Sequence, residues 1–254
     1  MLPFGRPPYD QAALFRGSTA CPNPGAGLEK VTQKLLNQSS PWGGNRTSRG
    51  TPICGRNNSR NNSLKLRIAT WNVRTMLDGR DTDNIPRRRT ALIAMELSRY
   101  NVDIAALSET RLSDEGSLCE SGAGYTFFWK GYPSGSPRIH GVGMALKNSL
   151  VEKLTESPTY ISERLMTLRL PLARGEYATV ISAYAPTLKS DEETKDQFYN
   201  SLTDTLSRIN RTDKVILLGY FNARVGRDNE MWLGVPGGHG VGNMNSNGLR
   251  LLAL

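Results

Sequence analysis

The 254-residue sequence contains only three cysteines and two histidines, which is too few for several kinds of protein. Cys21, Cys54 and Cys119 are odd in number and widely spaced, and they form no CxxC pair. This argues against a disulfide framework and against a zinc site. No apolar run in the sequence is long enough to cross a bilayer, and the first residues lack the apolar core of a signal peptide. The sequence predicts a soluble protein of a reducing compartment, in the nucleus or the cytoplasm.

Several catalytic motifs are also absent from the sequence. It contains no glycine-rich phosphate loop, no GxSxG turn and no paired cysteine and histidine. These absences argue against nucleotide kinases and acyl hydrolases. The 38% hydrophobic content and the length are compatible with one large α/β domain or two small ones.

The formal charge of +9 is concentrated in the first quarter of the chain. Residues 1–63 carry eight Lys and Arg against two acidic residues, and they are rich in Gly, Pro, Asn and Ser. Such a composition predicts a disordered basic arm, with one brief helix near residues 28–36. A basic arm attracts any polyanion, so it is weak evidence for nucleic acid. A solvated arm without a ligand is an equally good interpretation.

Four predicted strands share one feature, which is that polar residues stand at or just after their carboxyl ends. These strands are near residues 66–72, 102–107, 177–184 and 215–218. The polar residues are Asn72, Glu109, Tyr184 and Asn222. Where neighbouring strands run in the same direction, such ends meet at one edge of a sheet. Buried polar groups cost free energy unless they are paired, so this gathering indicates a ligand site.

The predicted elements are typical of a mixed α/β fold. Amphipathic helices are expected near residues 86–100 and 191–209, and the first of them joins two strands in a crossover unit. Four successive strands between residues 125 and 184 have no helix between them, which favours antiparallel pairing.

The chemistry of these residue types suits a phosphate ester. Glu109 offers hard oxygen ligands for Mg²⁺ or Mn²⁺, which complete their coordination shell with water and substrate phosphate. Asn72, Asn222 and Tyr184 can orient phosphate oxygens. A site that hydrolyses a phosphodiester also needs a carboxylate after the last strand, to hold the metal or to accept a proton from water. Position 220 is Tyr instead.

Six segments, in this order and spacing, resemble the endonuclease/exonuclease/phosphatase superfamily. They are residues 66–75, 104–112, 140–148, 162–173, 181–187 and 217–226. Within the superfamily, the sequence is most similar to the endonuclease domains of non-LTR retrotransposons and to craniofacial development protein 2-like proteins. The resemblance covers residues 64–254. It implies a four-layer fold, in which two mixed β-sheets pack face to face and helices cover their outer sides.

The resemblance also implies roles for individual residues. Asn72 and Glu109 would hold a divalent metal, Mg²⁺ or Mn²⁺. Tyr184 would contact the scissile phosphate, and Asn222 would help to position the attacking water. Tyr220 stands in place of the family's catalytic Asp.

The resemblance further implies DNA as the partner. Three arginines within the matching segments are expected to bind nucleic acid: Arg74, Arg111 and Arg164. We expect a monomer that uses no small-molecule cofactor and does not bind a membrane.

The sequence departs from the family pattern in three places. Ser108 replaces a Gln, which is a mild change, and Tyr220 replaces an Asp, which is severe because a neutral phenol cannot act as a carboxylate base. The family's final Asp and His have no counterpart before Leu254, so we expect the domain to be incomplete at its carboxyl end.

These features predict a metal-dependent phosphodiesterase of the abasic-endonuclease-like, retrotransposon-derived type, with impaired or absent catalysis. Two alternatives remain open. One is a module that keeps the fold and binds nucleic acid without cutting it. The other is a phosphatase of the same superfamily that acts on a small molecule or a phosphoinositide.

Overall fold

Two mixed β-sheets and their helices make up the part of the chain that the computed structural model describes, residues 29–32, 65–78, 88–227, 232 and 240–254. The first sheet contains β1 (Glu29–Thr32), β2 (Arg67–Asn72), β3 (Ile104–Ser108), β4 (Glu115–Glu120), β5 (Tyr125–Lys130) and β6 (Val142–Lys147). Their order is β1-β2-β3-β6-β5-β4, and only β2 and β3 are parallel neighbours.

The second sheet contains β7 (Thr159–Ser162), β8 (Leu165–Pro171), β9 (Tyr177–Tyr184) and β10 (Lys214–Tyr220). Their order is β10-β9-β8-β7, and only β9 and β10 are parallel. The α-helices are α1 (Arg89–Arg99), α2 (Asn148–Val151), α3 (Glu192–Arg208) and α4 (Ser246–Leu252). In the described ranges, no helix is both long and apolar enough to cross a membrane.

The main core lies between the two sheets. Met144 of the first sheet packs in one buried cluster with Leu168 and Val180 of the second. On the outer side of the first sheet, α1 contributes Leu97 to another cluster. On the outer side of the second sheet, α3 contributes Leu202 to a third. The layers are therefore helix, sheet, sheet and helix, which confirms the predicted four-layer α/β fold.

The start of the chain differs in part from the prediction. Glu29–Thr32 is a strand that pairs antiparallel with β2, so the predicted helix near residues 28–36 is wrong at these positions. Val31 and Thr32 are β-branched, which favours a strand wherever a neighbouring strand offers a free edge. The rest of residues 1–63 lies outside the described residues, so the basic arm and the domain boundary at residue 64 stay predictions.

Gly219 allows β10 to approach β9 at the end that carries the candidate site. It has a φ of 152°, and a Cβ atom added there would lie 1.9 Å from the backbone oxygen of Ala183. In the same parallel ladder, Tyr220 is aligned with Tyr184. The glycine therefore sets the distance between the two strand ends that carry these tyrosines.

We expect Gly219→Ala to lower the free energy of unfolding by about 1–3 kcal/mol, because the new methyl group forces the two strands apart. Denaturant titration followed by circular dichroism measures the change. Gly175→Ala is the matched control, since Gly175 also has a positive φ of 75° but its Cβ would meet open space. Equal destabilisation by the two variants would contradict the steric explanation.

Candidate active site

The parallel strands β2 and β3 bring Asn72 and Glu109 to one edge of the first sheet. Asn72 pairs with Ser108 in the ladder, so Glu109 follows immediately. The Asn72 Nδ2 donates to Glu109 Oε1 at 2.6 Å, and the Arg111 guanidinium donates to Glu109 Oε2 at 3.1 Å. The Asn72 Oδ1 accepts from the backbone N–H of Arg74 at 3.0 Å. Both oxygens of the Glu109 carboxylate are therefore held in place.

The second sheet places Tyr184 against this carboxylate. The tyrosine is only 5% exposed. Burial raises the pKa of Tyr184 to about 12, and the charge and hydrogen bond of Glu109 raise it in the same direction. Its hydroxyl is therefore a neutral hydrogen-bond donor over the whole physiological pH range.

Tyr220 and Asn222 complete the group of predicted residues. The rings of Tyr220 and Tyr184 lie with their centroids 6.4 Å apart and their planes tilted by 39°. The Asn222 Nδ2 donates to the backbone oxygen of Ala185 at 2.8 Å. The structure thus brings Asn72, Glu109 and Tyr184 into one chain of contacts, with Tyr220 beside it and Asn222 just beyond.

The backbone around these residues is strained. Arg74, Glu109, Arg111 and Asn222 have φ values of 61°, 58°, 57° and 49°. This left-handed region is uncommon for residues other than glycine and costs about 1–3 kcal/mol at each position. Such strain persists where the surroundings impose it, and it is concentrated at functional sites. Here it re-aims the side chains that follow β2, β3 and β10.

The three predicted nucleic-acid-binding arginines differ in position. Arg74 is exposed, and the side chain of Arg111 is 42% exposed while it pairs with Glu109. Arg164 is only 8% exposed, and its guanidinium donates to the backbone oxygen of Tyr184 at 3.2 Å and to His140 Nε2 at 2.8 Å. Arg164 therefore does not lie at the open surface that phosphate binding requires. Its guanidinium instead donates hydrogen bonds to Tyr184 and His140 inside the fold.

Asn247 supports this site, and the sequence gives no sign of it. It is fully buried, and its Nδ2 donates to the backbone oxygens of Pro186 at 2.9 Å and Asn222 at 3.2 Å. These hydrogen bonds hold the backbone of Asn222 in place. An asparagine near the start of a helix is common for local reasons, so its position alone did not mark it as important.

A cavity of about 620 Å³ lies elsewhere, on the outer face of the second sheet beside α3. It contains none of the predicted site residues. Its buried charge, Asp213, is paired with Arg169 at 2.7 Å and also accepts from Thr179 at 2.9 Å. These partners hold the pKa of Asp213 below its ordinary value, with the Arg169 hydrogen bond as the largest cause. The chemistry at the strand ends is thus the better guide to the site.

The residues present fit a hydrated divalent cation. The parts of the chain that the structure describes hold no group of three or more His, Cys, Asp and Glu side chains that could bind a metal ion. Glu109 and the Asn72 Oδ1 are hard oxygen donors, and that oxygen keeps a second lone pair beside its bond to Arg74. One carboxylate and one amide suit an ion held mainly by water and phosphate.

A neutral tyrosine donor lies next to this oxygen set, at the converging ends of two packed sheets, in a fold of the nuclease and phosphatase class. The chain belongs to the Endonuclease/Exonuclease/phosphatase family, whose model matches residues 69–247.

Individual relatives are more distant. Craniofacial development protein 2 from Tragulus javanicus and from Bos taurus are each 28% identical to the chain over 186 residues, or 73% of its length. The match covers 29% and 28% of those proteins, so the chain spans less than a third of their length.

Similar solved structures include the human Nocturnin catalytic domain with bound sulfate, at 16% identity and a TM-score of 0.45, covering 63% of this chain and 65% of that chain. A family protein from Leptotrichia buccalis is 15% identical with a TM-score of 0.42, covering 63% and 69% of the two chains.

We expect Asn247→Ala to lower the free energy of unfolding by about 1–3 kcal/mol, because buried carbonyl groups lose their donor. Thermal and denaturant unfolding measure the loss. Asn243→Ala changes an exposed asparagine four residues earlier and should have little effect. If the two variants are equally stable, the amide of Asn247 does not hold this region together.

Proposed function

We propose that the chain carries a divalent-metal phosphodiesterase site of the DNA endonuclease type, related to abasic-site and retrotransposon endonucleases, in which Tyr220 strongly reduces hydrolysis. The observation that supports this most is the Glu109 carboxylate, which is held by Asn72 and Arg111 and which raises the pKa of Tyr184 on the other sheet, after burial as the larger cause. This arrangement leaves an oxygen-rich rim that faces a hydrogen-bond donor, as a phosphate ester requires.

Each side chain then has a definite task. Glu109 and Asn72 would hold Mg²⁺ or Mn²⁺, which when bound neutralises charge on the reacting phosphate. Tyr184 would donate its hydroxyl hydrogen bond to a phosphate oxygen, and it can do so because its pKa of about 12 keeps it protonated. Asn222 would orient the attacking water.

Tyr220 is the weak point of this site. Its hydroxyl cannot accept a proton from water at neutral pH, and its ring occupies space beside Tyr184. Loss of a general base usually lowers the rate by about 10²- to 10⁴-fold. We therefore expect binding of the substrate to persist better than its cleavage.

DNA is the proposed substrate class because the chain is basic and the rim carries arginines. Arg74 is exposed beside Asn72, and Arg111 is partly exposed beside Glu109. The same features support a second candidate, a module that binds nucleic acid without cutting it, which Tyr220 specifically favours. In that case, binding should weaken steeply with salt while no product forms.

The first test is Tyr220→Asp, assayed by nicking of supercoiled plasmid with Mg²⁺ and with a chelator. We expect the unmodified chain to cleave barely above background and Tyr220→Asp to gain about 10²-fold or more, because a carboxylate can accept a proton from water. Tyr220→Phe is the control, since it removes the hydroxyl without adding a base. Salt-sensitive DNA binding without any gain on Tyr220→Asp would favour the binding module. Fast, chelator-sensitive nicking by the unmodified chain would refute the proposed impairment.

The second test addresses the metal directly. We expect Glu109→Gln to weaken Mn²⁺ binding at least tenfold, measured from the free Mn²⁺ signal in electron paramagnetic resonance, because it removes the one carboxylate of the set. Glu115→Gln is the control, since Glu115 is an exposed acid on β4 that pairs with Lys130. Unchanged binding by Glu109→Gln would exclude Glu109 as a ligand.

A further inference from the structure

We propose that Arg164 is a positioning residue, which fixes Tyr184 against Glu109 through a buried contact with His140. This inference rests on the proposed function, because it assigns a support to the tyrosine of that site. It concerns Arg164, which follows β7, and His140, which precedes β6. The proposed catalytic roles include neither residue.

Arg164 holds Tyr184 by its main chain and by its ring. The backbone N–H of Tyr184 donates to the Arg164 backbone oxygen at 2.8 Å, and the Arg164 guanidinium donates back to the Tyr184 backbone oxygen at 3.2 Å. The guanidinium carbon lies 5.2 Å from the centre of the Tyr184 ring. A residue held at its amide, carbonyl and ring has little freedom to shift.

His140 extends this contact to the first sheet. Its Nε2 lies 2.8 Å from the Arg164 guanidinium, and its ring meets the Tyr184 ring edge-on at 5.9 Å. Its backbone oxygen accepts from the N–H of Arg111 at 2.9 Å. Since Arg111 also binds Glu109, the arginine of one sheet is connected to the carboxylate carried by the other.

The contact fixes which nitrogen of His140 carries the proton. A guanidinium has donors only, so the Nε2 of His140 must accept and the proton must lie on Nδ1. That Nδ1 is buried and has no hydrogen-bond partner among the described residues. Leaving a buried donor unpaired is costly, and such a group in a native fold calls for an explanation. Arg164 imposes this tautomer. The fold therefore keeps the hydrogen bond between Arg164 and His140 Nε2, although His140 Nδ1 is left without a partner among the described residues.

An apolar side chain would fill the same space without a buried charge. The only carboxylate that pairs with Arg164 within the described residues is that of Glu163, at 3.7 Å, which is long for a charge-assisted bond. A buried cation is weak evidence for stability, because desolvation offsets its attractions. The arginine is therefore better explained by the orientation that it gives to Tyr184 and His140.

The tautomer can be measured without any enzyme assay. The chain has two histidines, so His239→Gln leaves only the signals of His140 in a long-range ¹H–¹⁵N correlation spectrum. We expect protonated Nδ1 in this background, and a shift of the proton to Nε2 in Arg164→Met. Arg169→Met is the control, since it removes an arginine that pairs with Asp213 far from the site. A His140 that stays protonated on Nδ1 in Arg164→Met overturns the proposal.

The positioning effect is measured in the Tyr220→Asp background. Arg164→Met should lower kcat at least tenfold with little change in KM, and Arg164→Lys should recover part of the loss. An unchanged kcat overturns the positioning role even if the tautomer switches.

If no variant cleaves DNA, the proposed function fails separately, and the Tyr184 ring signal, assigned with Tyr184→Phe, becomes the second readout. It should move in Arg164→Met but not in Arg169→Met, and an unmoved signal overturns the proposal. If Arg164→Met does not fold, Arg164→Lys is read by kcat and by the Tyr184 ring signal alone, and both should change because one ammonium group cannot reach both acceptors; if neither changes, the proposal is overturned.

Discussion

The structure of the candidate site depends on the Glu109 carboxylate, through which residues of the first sheet interact with Tyr184 of the second. Glu109 lies in a left-handed backbone position immediately after β3, so it leaves the ladder and turns toward the second sheet. Asn72 and Arg111 hold it from its own sheet, and Tyr184 meets it from the other. The fold makes this contact possible because each sheet has one pair of parallel strands, and both pairs end at the same edge.

That contact also explains why Tyr220 matters beyond the loss of a base. Tyr220 and Tyr184 are aligned in one ladder, and Gly219 lets their strands approach closely. The two phenols therefore lie side by side where a carboxylate and a phenol would otherwise share the rim. An acid at position 220 would place a second negative charge near Glu109 and increase its attraction for a cation. With Tyr220, the proposed site has a single carboxylate, so we expect it to keep its donors for phosphate while its cation affinity and proton acceptance are both lower than with an acid at position 220.

The sequence predicted the parts of the fold that depend on local pattern. Buried apolar strands that end in polar residues, such as β3 and β10, were recognisable from their hydrophobic runs, and the fold class followed from their order. Strand β4 was not predicted, because its sequence EGSLCE is polar and it forms by pairing with β5. Arg164 was predicted to bind nucleic acid because it is an arginine within a segment that resembles the family. Only the three-dimensional packing shows that a tyrosine carbonyl and a histidine nitrogen satisfy its charge.

The residues that the sequence could not mark are those that hold the others in place. Asn247 binds the backbone oxygen of Pro186, after β9, and that of Asn222, after β10, and Arg164 binds the main chain of Tyr184. Neither residue has a motif of its own, because its function is to satisfy groups that are distant in sequence. A catalytic side chain needs to be held to within a fraction of an ångström, and such support comes from neighbours of this kind. In the proposed function, supports of this kind keep the geometry of a phosphate-binding rim whether or not position 220 offers a base.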